Sequence, residues 1–189
     1  MASRTAAEYG GVQAKALAVE QPGTKRRAFL VQILLRGLAT ALTAAAIPVM
    51  VKSNQATIVF GIPFEARYSY FAAFKFIVAV DAVVCAFSLV SLLVLCRRCA
   101  IQSESGGISQ FLLYSLDTVV TLLTMAGCSA AAAVGYIGYY GVESIGWPAS
   151  CEHARYFCAQ ILSSVTLSFL TLFSYITLVL MTTYKLTAR

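Results

Sequence analysis

Residues 108–139 read ISQFLLYSLDTVVTLLTMAGCSAAAAVGYIGY and carry one charged side chain, Asp117. A bilayer core about 30 Å thick takes roughly 20 apolar residues as a helix. This run is longer than that. It does not alternate apolar with polar residues, so a strand is excluded. Three more runs of the same kind flank it, at residues 28–51, 70–96 and 157–184. The reading is an all-α membrane protein, a four-transmembrane-helix bundle over residues 28–186.

Composition agrees. The 189 residues are 59% hydrophobic and 12% charged, against about half and a quarter in average soluble chains. An ordinary soluble domain and a largely disordered chain are both excluded. The net charge of +6 does not indicate nucleic acid, because the basic residues sit at the ends of apolar runs, where they set membrane orientation. Arg4, Lys15, Lys25, Arg26, Arg27, Arg97, Arg98, Lys185 and Arg189 share one side. Lys52, Arg67, Lys75 and Arg155 share the other. The bias predicts cytoplasmic N- and C-termini, with residues 1–27 a solvated, disordered tail and residues 187–189 a short one. Lys25-Arg26-Arg27 would lie against anionic lipid headgroups. No signal peptide is read ahead of the first span, which is expected to act as its own anchor.

Each span carries one polar stripe: Gln32, Arg36, Thr40 and Thr43; Asp81, Cys85 and Ser88; Gln110, Tyr114, Asp117, Thr121, Thr124 and Cys128; Gln160, Ser164, Ser168, Thr171 and Tyr175. Lipid cannot satisfy such groups, so the stripes should face one another. Arg36 and Asp117 each lie about 12–13 Å from the inner end of their helix, at 1.5 Å per residue. A lone charge at that depth costs about 2.5–3.5 kcal/mol. A structural ion pair between Arg36 and Asp117 is the expectation, with the Tyr175 hydroxyl in reach. Asp81 falls in the other half of the bilayer, without a legible partner, and a protonated or surface-hydrated carboxyl is expected.

Gly127, Ala131 and Gly135 recur every four residues, a spacing that lets helices approach closely. The sequence leaves open whether this face packs inside the bundle or forms an oligomer contact. Pro48 suggests a kink or a helix end. Of six cysteines, Cys85 and Cys128 fall in spans, and Cys96 and Cys99 on the reducing side. Only Cys151 and Cys158 face the oxidising side, which predicts a disulfide between them. Cys96-x-x-Cys99 lacks a second ligand pair for zinc; inert thiols are expected, with juxtamembrane palmitoylation the functional alternative. His153 has no readable nucleophile partner, and Trp147 fits a membrane interface. Thr57–Phe60 followed by Gly61 has hairpin character.

Taken together, Leu34-Leu35-Arg36, Asp117, Trp147, Cys151 and Phe157-Cys158 resemble the plant CASP-like proteins, relatives of the Casparian strip membrane domain proteins. The resemblance spans about residues 28–186. It implies a plasma-membrane protein, similar to MARVEL-type tetraspanners, that forms homomers and heteromers with related four-span proteins. It implies a non-enzymatic scaffold that organises a membrane domain and recruits cell-wall-modifying partners. The competing reading from the intramembrane charges is an oligomeric channel or transporter. The chain lacks broken half-helices, a filter, and the H-E-x-x-H and G-x-S-x-G motifs. No cofactor, metal or catalytic residue is expected, and the partners expected are membrane lipid and related four-span proteins.

Overall fold

The computed structural model describes residues 22–59, 62–101, 107–141, 151 and 155–187. The tail at residues 1–21, and with it Trp147 and His153, lies outside them. Four helices carry the fold: α1 Pro22–Val51, α2 Ala72–Ile101, α3 Gly107–Tyr140 and α4 Arg155–Thr187. All four are long and apolar enough to cross a membrane. The apolar runs therefore do form long helices, extended at one end or both, although α2 begins only at Ala72 because Tyr68–Tyr70 form a short turn.

The helix ends follow local chemistry. Pro22 opens α1, where a missing N–H costs nothing. Pro48 does not end that helix, which continues to Val51. Lys52 N–H reaches Pro48 O at 3.0 Å, and the Ser53 hydroxyl reaches Met50 O at 2.6 Å. These two bonds occupy carbonyls that the helix end leaves over. Gly141, at φ 71°, sends its N–H back to Ile137 O at 2.8 Å. That left-handed cap suits glycine and stops α3.

Between α1 and α2, strands β1 (Asn54–Val59) and β2 (Ile62–Arg67) pair antiparallel from Val59↔Ile62 to Asn54↔Arg67. The β-branched Thr57-Ile58-Val59 favours this form, and only two residues separate the strands. A short 3₁₀ turn, Tyr68–Tyr70, leads into α2. The hairpin marks one end of the bundle, and the start of α1 and the end of α4 lie at the other.

Neighbours around the bundle run α1–α2–α3–α4 and back to α1, while opposite helices approach little. The outward faces are apolar, with Leu34 69% exposed and Leu162, Val119, Leu122 and Leu180 similarly bare. Inside, Arg36, Thr43, Asp81, Ser88, Ser91, Asp117, Thr124, Ser164, Ser168 and Thr171 are buried. A soluble protein arranges these groups the other way round. Lipid on the outside and polar partners within account for the inversion. Apolar packing fills the remainder in two layers. Met50, Phe74, Ile77, Ala131, Phe157 and Ile161 form the layer at the hairpin end. Ala39, Val80, Val84, Val120, Tyr175 and Leu178 form the other. Exposed Tyr136, Tyr139 and Tyr140 cluster at the hairpin end of α3, where interfacial tyrosines belong.

The small-residue face of α3 divides. Gly127 and Ala131 are buried, and a Cβ on Gly127 would meet Val80 of α2 at 3.5 Å. A Cβ on Gly135 or Gly138 meets nothing within 4 Å. Gly127→Ala is therefore tolerated, whereas Gly127→Leu overpacks the α2–α3 seam by about 1–3 kcal/mol. Gly135→Leu leaves the fold of the single chain intact. Unfolding of the three variants in detergent, followed by helical signal, measures the difference.

Candidate functional site

Arg36 is 4% exposed and Asp117 2%, and both project from opposite helices into the bundle centre. Arg36 Nη2 donates to Asp117 Oδ2 at 2.5 Å. The contact is single-armed, because the other arm of the guanidinium is engaged elsewhere. Nη1 donates to the Ser91 hydroxyl of α2 at 2.8 Å. The guanidinium carbon also lies 5.8 Å from the centre of the Phe87 ring, within cation–π range. Ser91 can accept from Arg36 because its own hydrogen points to Phe87 O and Ser88 O, at 2.7 and 3.0 Å.

The Tyr175 hydroxyl does not reach the ion pair. Ser88, one turn from Ser91 on α2, intercepts it at 2.6 Å. The network still takes in all four helices, through Arg36 of α1, Ser88 and Ser91 of α2, Asp117 of α3 and Tyr175 of α4. Arg36 Nε and Asp117 Oδ1 have no hydrogen-bond partner.

A second polar site lies toward the hairpin end. Asp81 is 2% exposed, so it is not hydrated at the surface. Its Oδ2 is 2.7 Å from the Ser168 hydroxyl of α4. Residue counting places Asp81 at its height but cannot show which helix faces it. Beside it, Ser164 donates to Ala46 O of α1 at 2.8 Å. Opposite helices are thus bridged by side chains: α1 to α3 by Arg36–Asp117, and α2 to α4 by Ser88–Tyr175 and Asp81–Ser168. Of the remaining stripe residues, Thr43, Thr124, Ser164 and Thr171 are buried, while Gln32, Thr40, Cys85, Tyr114, Thr121 and Gln160 sit half-buried at the seams. The side chain of Gln110 is outside the described set.

Cys151 and Cys158 are joined, with Cα atoms 5.8 Å apart. The bond ties the residues before α4 to its first turn, next to buried Phe157. Cys96 is exposed near the end of α2, and Cys128 is buried. Among the described residues no group of three or more His, Cys, Asp or Glu is placed to hold a metal ion.

A multi-pass membrane protein with a polar, ion-paired interior is the class that this fold and site define. Residues 25–174 match the family model of the Casparian strip membrane protein domain. The chain belongs to that family. It is 40% identical over 162 residues to a CASP-like protein 1F2 of Ricinus communis, covering 86% of this chain and 80% of the relative. A CASP-like protein 1F3 of Populus trichocarpa is 39% identical over 168 residues, covering 88% and 85%. A CASP-like protein 1F1 of Arabidopsis thaliana is 33% identical over 139 residues, covering 74% and 79%. No solved structure matches the chain.

The network predicts unequal losses. Asp117→Ala strands a guanidinium that stays charged at any ordinary pH and costs about 3–5 kcal/mol. Arg36→Ala leaves a carboxyl that can take up a proton, and costs less. The double change Arg36→Met/Asp117→Leu recovers most of either loss. Denaturation of the four proteins in detergent gives the ranking. For the disulfide, alkylation before reduction should label Cys96 and spare Cys151 and Cys158. Closing so short a loop is worth about 2 kcal/mol, the loss expected for Cys151→Ser.

Proposed function

We propose that this protein is a non-enzymatic scaffold of the plasma membrane. It associates laterally with copies of itself and with related four-span proteins. Both termini are cytoplasmic, on the distribution of lysine and arginine. The hairpin and the disulfide-closed segment before α4 then face outward, toward cell-wall-modifying partners.

The observation that carries the reading is the division of small residues between inside and outside. The polar groups of the interior are largely spent on one another. On the outside, Gly37 of α1 looks onto open space, and so do Gly135 and Gly138 of α3, whose helix also exposes Ala132 and Ala133. Smooth faces of this kind let a neighbouring span approach closely within lipid. Membership of the Casparian strip membrane protein domain family supports the same reading.

Photobleaching of a fluorescent fusion in a plant plasma membrane tests it. Little recovery is expected for the wild type. Gly135→Leu/Gly138→Leu should reach the membrane and recover substantially faster. Rapid and complete recovery of the wild type would overturn the scaffold reading.

A further inference from the structure

The two buried carboxyls stand in different company. Asp117 faces a guanidinium. Asp81 faces a hydroxyl, and its Oδ1 has no hydrogen-bond partner. The groups packed around it are few. On α2 itself, Cys85 lies one turn away, and Lys75 is exposed. Cys128 is buried on α3. On α4 lie Ser164, Ser168 and Thr171, with Tyr175 bonded to Ser88 farther along. On α1, Ala46 accepts from Ser164, and one turn further in lies the buried Thr43, whose hydroxyl is turned back to Ala39 O and Thr40 O. Arg36 is engaged with Asp117 and Ser91.

Ser168 has one hydrogen and two neighbours for it. Its oxygen lies 2.7 Å from Asp81 Oδ2 and 3.3 Å from Ser164 O. Hydroxyls in these spans habitually donate to the carbonyl four residues back, as Thr43, Thr118, Thr121, Thr124 and Ser174 do. If Ser168 does the same, its hydrogen is used, and the hydrogen in the 2.7 Å contact belongs to Asp81. The opposite assignment leaves a buried carboxylate with one oxygen unpartnered and no cation beside it, which is more costly than a neutral acid.

The geometry points to Asp81 as a proton-binding site of the bundle: a neutral carboxylic acid that donates to Ser168 and bridges α2 to α4. The ligand is a single proton. Its presence leaves the buried interior, among the described residues, with one ion pair and no net charge.

Infrared spectroscopy of the full chain in liposomes at neutral pH reads the proton directly. A protonated carboxyl has a carbonyl stretch above the amide band, whereas surface carboxyls are ionised at that pH. The wild type should show this band. Asp81→Asn should lose it, and Ser168→Ala should move it to higher frequency by removing the acceptor. The Ser168→Ala shift decides the matter without altering Asp81, should Asp81→Asn fail to fold. Absence of the band in the wild type overturns the proposal, as does a band that Ser168→Ala leaves unmoved.

Discussion

A guanidinium cannot be left alone in lipid, and it cannot shed its charge to escape. Arg36 therefore dictates what surrounds it. A carboxylate comes from the opposite helix, a hydroxyl from a neighbouring one, and an aromatic face lies beside them. Once Arg36 and Asp117 meet, α1 and α3 are fixed in depth and rotation relative to each other. α2 and α4 must then fill the two remaining sides. Their own diagonal contacts, Ser88–Tyr175 and Asp81–Ser168, have the same character. No hydrophobic force gathers helices within lipid, so bonds of this kind, with close packing, hold the bundle together.

This architecture also separates the work of different small residues. Gly127 and Ala131 are used inside the molecule, where α2 comes close. Gly37, Gly135 and Gly138 are not. One helix thus contributes both to its own bundle and to a face that the bundle leaves unpartnered. The lateral association we propose would need both, because folding contacts and assembly contacts are made in the same solvent and must not compete. The hairpin and the disulfide lie together at one end of the bundle. Each shortens the freedom of a segment that joins two helices.

Four spans, their approximate limits and the hairpin-prone Thr57–Phe60 are local properties, and all are legible in the chain. Hydropathy over some twenty residues and branching at Cβ need no knowledge of neighbours. The common depth of Arg36 and Asp117 is legible as well, since helical rise converts residue number to height. Rotation about the helix axis relative to another helix is not. For that reason Tyr175 reads as a partner of the ion pair, although Ser88 holds it. Asp81 likewise reads as a protonated or surface-hydrated group without a partner, although it is buried and Ser168 faces it. The four-residue spacing of Gly127, Ala131 and Gly135 is equally visible in the sequence, and equally silent about which of them α2 covers.

By itself, then, the sequence determined the solvent, the number of crossings, the heights of the charged groups and which residues must find polar partners. Each follows from transfer energies and from the fixed rise of a helix. The tertiary structure alone decided which helix supplies each partner, that the ion pair is single-armed with Ser91 on its second arm, and which glycines remain open to a neighbour. Those outcomes depend on how four helices pack around a common axis, and a few degrees of helix rotation exchange one partner for another.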